Sequence, residues 1–162
     1  MLLIVECRAD VIFVLDESGS IGRDDFNSLK EFASDLAAAL DIDSGDTRLG
    51  LVAFDTRVGE YFDLNTYSSL AAVQTAIAAL SYNGGGTRTD RALKYVRESM
   101  LTQAAGERNT VPNVVVLFTD GQSSRPSRTE VSGLHTGVIL VLPKYSFSSR
   151  VVLKIQLRTV FV

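Results

Sequence analysis

The chain has 162 residues, of which 46% are hydrophobic and 22% are charged. This length suits one domain with its own core, and the composition argues against disorder and against a disulfide-dense miniprotein. A net charge of -3 with scattered basic residues argues against nucleic acid as a partner, and one cysteine and one histidine cannot build an internal disulfide or a Cys/His zinc site.

The first predicted strand is an unbroken apolar run from Val11 to Leu15. Such a run is typical of a central strand that is covered on both faces of a parallel sheet. Apolar residues then recur at three- and four-residue spacing from Phe26 to Leu40. This spacing predicts an amphipathic helix that begins near Asp24, with Asp24 or Asp25 capping its first amides.

A hairpin is predicted after this helix. Leu49 to Phe54 forms a second strand, and Val58 to Leu64, which partly alternates, forms a third. The turn of residues 55–57 between them is short enough to join two neighbouring antiparallel strands. We expect this pair to form an edge of the sheet.

Two further helices, each of about three turns, are indicated by apolar stripes from Leu70 to Leu80 and from Ala92 to Met100. One of the two serines that precede the first stripe can cap that helix. Thr89 or Asp90 can cap the second helix, and capping is a more probable role for Thr89 than metal ligation.

The remaining predicted strands are Asn113 to Phe118, apolar after its first residue, and Val138 to Leu142. Strands that alternate with helices predict an α/β fold, a doubly wound and mostly parallel sheet with helices on both faces. In such sheets ligands bind outside the carboxyl ends of the strands.

Three loops carry small oxygen ligands, and the two with acidic motifs follow the carboxyl end of a strand. The D-x-S-x-S motif, Asp16 to Ser20, follows the first strand, Thr87 follows three glycines, and Asp120 with Gly121 follows the strand from Asn113. Mg²⁺ takes oxygen ligands at about 2.0–2.1 Å and keeps several of its waters. Hydroxyls and two carboxylates suit this chemistry, and the glycines allow the backbone to come close to an ion.

In their order and context these motifs resemble the von Willebrand factor type A domain, from about Ala9 to Ser124. The A domains of extracellular matrix proteins such as matrilins and type VI collagen are the most similar. The resemblance implies a site for Mg²⁺ or Mn²⁺ in which hydroxyls bind the metal directly, aspartates hold its waters, and a partner's carboxylate completes the sphere. Carried over by position, the metal residues are Asp16, Ser18, Ser20, Thr87 and Asp120. The rim that contacts the partner is expected to be Glu17, Arg88, Asp90 and Gly121.

The resemblance also implies a function: adhesion or protein binding, with an extracellular matrix protein such as collagen as the partner. Localisation is expected to be extracellular, as part of a longer protein. No apolar stretch is long enough for a membrane span, and Met1 to Val5 is too short for a signal peptide core. Two rivals stay open, an intracellular scaffold for protein complexes and a non-functional truncated product.

Each motif also has a simpler interpretation. Asp16 with Ser18 or Ser20 can cap the first helix, Asp120 and Gly121 can form an ordinary turn, and the three glycines can be a plain connector. Haloacid-dehalogenase-like phosphatases need D-x-D, and Ser18 stands where the second acid would be. No other catalytic motif is found, so we predict that the chain is not an enzyme.

The carboxyl-terminal part departs from the family pattern. Only 42 residues follow Asp120, whereas three helices and two strands would still need roughly 60. The last residues alternate like a strand where the family has a closing helix. We therefore predict a domain at residues 9–143 with an incomplete carboxyl-terminal part, followed by an atypical tail at residues 144–162.

Overall fold

A computed structural model describes residues 8–119 and the backbone of residues 137–143. Its five strands are β1 Ala9–Asp16, β2 Thr47–Phe54, β3 Val58–Phe62, β4 Asn113–Thr119 and β5 Gly137–Pro143. They form one sheet in the order β3-β2-β1-β4-β5. β1 is parallel to β2 and to β4, β4 is parallel to β5, and β3 alone is antiparallel to its neighbour β2. The prediction of a mostly parallel sheet with a hairpin edge is confirmed.

Three helices connect these strands in the described part of the chain: α1 Arg23–Ala38, α2 Leu70–Ala79 and α3 Thr89–Tyr95. α3 continues into a π-helical turn, Val96–Met100, and a short 3₁₀ helix follows at Gln103–Ala105.

The predicted N-cap is confirmed for α2 and is wrong for α1 and α3. Ser69 caps α2 as predicted, because its hydroxyl accepts a hydrogen bond from the amide of Ala72 at 3.3 Å. α1 begins one residue earlier than expected, after Gly22 at the N-cap, so the acids at 24 and 25 lie in its first turn and do not cap it. α3 has Arg88 at its N-cap, so the predicted caps Thr89 and Asp90 are wrong. In both helices the N-cap residue precedes the predicted caps: it is Gly22 in α1 and Arg88 in α3.

Alternate side chains of β1 point to opposite faces of the sheet. Phe13 and Leu15 pack in the core beneath α1 and α2. Ile12 and Val14 pack in a second core beneath α3 and its π-helical turn. All eight residues of β1 are buried, which explains the unbroken apolar run. Helices on both faces are thereby confirmed.

Arg108 holds together the amino-terminal ends of the first two strands. Its guanidinium donates from Nε to Oδ1 of Asp10 at 2.8 Å. It also donates from Nη2 to the carbonyl oxygens of Ala9 and Asp46 at 2.8 and 2.9 Å. Asp10 is fully buried, so this ion pair compensates a charge that water does not reach.

The strand order places a crevice at the opposite end of β1. The chain passes from β1 to β2 on one side and later enters β4 on the other, and ligands bind at such a reversal. Asp16 ends β1 and Thr119 ends β4, so both reach this crevice.

Several predictions fall on residues that the structure does not describe. Asp120 and Gly121 lie outside the described ranges, as does the tail at residues 144–162. The domain boundary and the atypical tail therefore stay predictions. In the ranges 8–119 and 137–143, no helix is long and apolar enough to cross a membrane.

Candidate metal centre

Asp16 lies at the bottom of the candidate site. It is the last residue of β1 and is fully buried. Its Oδ1 accepts a hydrogen bond from the amide of Ser18 at 2.9 Å, and its Oδ2 accepts one from the hydroxyl of Thr119 at 2.8 Å. These two hydrogen bonds fix the orientation of the carboxylate.

Ser18 and Ser20 bring two hydroxyl oxygens together near Asp16. Their Oγ atoms are 3.0 Å apart, with Ser18 fully buried and Ser20 exposed. The two hydroxyls hydrogen-bond to each other at this distance. It is also close to the separation of about 2.9 Å between neighbouring ligands of an octahedral ion with ligand distances of about 2.0–2.1 Å.

The N-cap residue of α1 is Gly22, so Asp16, Ser18 and Ser20 do not occupy the N-cap position. The carboxylate of Asp16 bonds within its own loop and to β4 instead. The Asp16 carboxylate thus fixes the conformation of its own loop and ties this loop to β4.

The loop of residues 84–87 lies next to the loop of residues 16–20. It contains Thr87, which is 7% exposed. The amide of Gly19 donates to the carbonyl of Gly85 at 2.8 Å and joins the two loops. Gly85 has φ of +119°, and a Cβ there would lie 2.7 Å from Oδ2 of Asp55. Only glycine fits this backbone without strain or displacement, so the second glycine of the three is a requirement of the geometry.

Glu17, predicted to lie on the rim, is 1% exposed. Its Oε2 accepts hydrogen bonds from the amide and the side-chain Nδ2 of Asn83, both at 3.2 Å. Burial raises the pKa of Glu17, and the bonds from Asn83 oppose this rise. The side chain points towards Asn83 in the neighbouring loop, and its place on the partner-binding rim stays a prediction.

Arg88 and Asp90, two other predicted rim residues, bind each other. Nε and Nη2 of Arg88 each donate to one carboxylate oxygen of Asp90 at 2.7 Å, and the side chains are 16% and 10% exposed. This bidentate pair lowers the pKa of Asp90. The two charges largely compensate each other at the start of α3.

A hydrogen bond joins the two loops that contain four of the five predicted metal residues, while Asp120 lies outside the described ranges. Residues 8–119 contain no group of three His, Cys, Asp or Glu side chains that could hold a metal ion. The candidate ligands are instead hydroxyl oxygens. Sequence reasoning missed Thr119, whose place beside Asp120 after a buried strand was a usable signal. It also missed the support from Asn83, which no local pattern indicates.

The family model described as the von Willebrand factor type A domain matches residues 10–140. The chain belongs to the von Willebrand factor type A family. Over 118 residues it is 39% identical to the collagen alpha-4(VI) chain of Mus musculus, a match that covers 72% of this chain and 5% of that protein. It is 34% identical over 117 residues to matrilin-2 of Mus musculus, covering 70% and 12% respectively. The chain thus spans a small part of these relatives' length.

Solved type A structures share the fold. Proximal thread matrix protein 1 from the mussel byssus, solved with a zinc-occupied MIDAS motif, matches with a TM-score of 0.71 at 25% identity. The match covers 83% of this chain and 37% of that one. Domains of this family are generally interaction modules rather than enzymes, and this neighbour shows that the fold holds a divalent metal.

Proposed function

We propose that this domain is a metal-ion-dependent adhesion module that engages an acidic residue of a protein partner through a bound Mg²⁺ or Mn²⁺. The observation that carries the proposal is the 3.0 Å separation of the Ser18 and Ser20 oxygens above the buried carboxylate of Asp16. That separation matches two adjacent ligands of an octahedral ion. The zinc-occupied motif of the mussel protein supports a divalent cation in this fold.

In this proposal the residues divide their work by charge. Ser18, Ser20 and Thr87 would bind the cation directly, while Asp16 and Asp120 would hold its waters. A bound divalent cation would supply a positive centre that accepts a carboxylate from the partner. Because the direct ligands are neutral, the metal keeps most of its charge for that carboxylate. The role we propose for the site is binding rather than catalysis, in line with the interaction modules of this family.

The partner we propose is an extracellular matrix protein such as collagen, and the setting is the extracellular matrix. The similarity to a collagen VI chain and to matrilin-2 supports this setting. Arg88, Asp90 and Gly121 would form the rim around the cation. Arg88 and Asp90 are already paired, so they would contribute shape and hydrogen bonds more than net charge.

Calorimetric titration of the full chain with MgCl₂ tests the metal site. Ser20→Ala removes an exposed hydroxyl and Asp16→Asn removes the buried charge; each is expected to weaken Mg²⁺ binding by about tenfold or more. Ser28→Ala is the matched control, because its hydroxyl lies on α1 and donates to the carbonyl of Asp24. Unchanged Mg²⁺ affinity in both site variants, with the fold retained, would refute the metal site.

Binding to immobilised collagen tests the partner. We expect retention of the wild-type chain in Mg²⁺ and its release by EDTA, with no retention of Ser20→Ala. Retention that is equal in Mg²⁺ and EDTA would refute metal-dependent adhesion to collagen even if the cation binds.

A further inference from the structure

We propose that Thr56, in the turn of residues 55–57 between β2 and β3, is a positioning residue that holds Thr87 in place for the cation. The proposal rests on the metal site of the proposed function and adds a support to it. In the predicted ligand set no residue of this turn takes part, yet the turn contacts the chain on both sides of Thr87.

Two hydrogen bonds bracket Thr87. The amide of Gly86, the residue before it, donates to Oγ1 of Thr56 at 2.8 Å. The amide of Arg88, the residue after it, donates to the carbonyl oxygen of Asp55 at 2.9 Å. Because the residues immediately before and after Thr87 are both hydrogen-bonded to the same turn, the turn sets the position of the Thr87 backbone.

The turn is itself fixed. The amide of Arg57 donates to Oδ1 of Asp55 at 2.7 Å, and the amide of Asp55 donates to the carbonyl of Arg57 at 3.0 Å. Nη1 of Arg91, on α3, donates to the carbonyl of Thr56 at 3.0 Å. A turn held by its own bonds and by a helix can act as a rigid support.

The turn and the loop of residues 16–20 also start from neighbouring, paired strands. It follows directly on β2, which pairs with β1 up to the contact of Asp16 with Phe54. One residue further, the amide of Glu17 donates to the carbonyl of Phe54 at 2.9 Å. The first metal loop and the turn therefore start from adjacent ends of neighbouring strands, so a bond from the turn to the Thr87 loop sets the distance between the two groups of hydroxyls.

The Thr56 bond matters because the loop that it holds is rich in glycine. Gly84 and Gly85 both have positive φ, and glycine has more backbone freedom to lose than any other residue. Without the bond to Gly86 the loop would sample more conformations, and binding of the cation would have to restrict them. Losing the bond is therefore expected to weaken cation binding, because the cation must then order the loop.

The experiment compares three variants of the full chain by calorimetric titration with MgCl₂ and by urea unfolding. Thr56→Val keeps the shape and removes the acceptor, and Thr56→Ser keeps the acceptor. Thr66→Val is the matched control, since Oγ1 of Thr66 accepts from the amide of Asp63 at 3.0 Å in another exposed turn. We expect Thr56→Val to bind Mg²⁺ about three- to tenfold more weakly, and the other two to stay within about twofold of wild type.

A merely structural role would lower the stability of Thr56→Val and Thr66→Val alike and leave Mg²⁺ affinity unchanged. Equal Mg²⁺ affinity in these two variants would overturn the inference while the proposed function stands. Failure of Thr56→Ser to restore binding would also overturn it. Absence of Mg²⁺ binding by the wild type would refute the proposed function, and with it this inference.

Discussion

Replacing Gly85 by alanine is expected to damage the site through the backbone. Gly85 has φ of +119°, and an added Cβ would lie 2.7 Å from Oδ2 of Asp55 and 3.1 Å from Oγ1 of Thr56. A non-glycine residue in such a region costs about 1–3 kcal/mol. If Asp55 moves away, its bond to the amide of Arg57 is lost at a cost of about 1 kcal/mol. The free energy of unfolding should therefore fall by about 2–4 kcal/mol.

The neighbouring glycine provides the control. Gly84 has φ of +72°, and the nearest atom to its added Cβ is the hydroxyl oxygen of Tyr82 at 3.5 Å, an ordinary contact. A left-handed residue there costs only about 1–2 kcal/mol. Gly85→Ala should thus be less stable than Gly84→Ala by about 1–2 kcal/mol, because the gain from a less flexible unfolded chain is the same for both.

Urea unfolding of the two variants, with the slope of the transition held in common, measures this difference. Titration with MgCl₂ provides a second readout, since the displaced loop carries Thr87, and Gly85→Ala should bind the cation more weakly than Gly84→Ala. Equal unfolding free energies and equal Mg²⁺ affinities in the two variants would show that the close approach to Asp55 does not constrain the loop.

Two further predictions concern ion pairs. Arg108→Met should lower the unfolding free energy by about 3 kcal/mol, because the fully buried Asp10 loses its partner. Arg8→Met, in a pair whose arginine is 67% exposed, should cost less than about 1 kcal/mol; similar losses in urea would contradict the distinction. Arg88 lowers the pKa of Asp90 from its ordinary 3.8, so the pair stabilises the fold above pH 3.8 and this stabilisation disappears as the pH falls through the lowered pKa. Asp90→Asn should therefore be less stable than wild type at pH 7 and converge with it in acid, and a difference independent of pH would speak against this account.

Much of the fold was readable because its physical causes are local. β1 and β4 are covered on both faces, so their apolar residues run without a break. The spacing in α1 repeats with the helical period and faces one core. Parallel strands end at one edge, which is why the D-x-S-x-S loop and Asp120 could be predicted at that edge from their positions after apolar strands, whereas Thr87 was assigned by the family resemblance.

Other features depend on contacts that no local pattern encodes. Glu17 is buried, and Asn83, 66 residues away in the chain, supplies the donors that bind its carboxylate. The helix caps shifted because Gly22 and Arg88 occupy the N-cap positions.

By itself the sequence determined the identity of the elements and the chemistry of the site: hydroxyls and carboxylates in three loops, with glycines where the backbone must turn. Only the tertiary structure decided the 3.0 Å spacing of Ser18 and Ser20, the inward turn of Glu17 and the hold of Thr56 on the Thr87 loop. The reason is that side-chain identity sets which interactions a residue can make, whereas the sheet order brings together the distant partners that satisfy them.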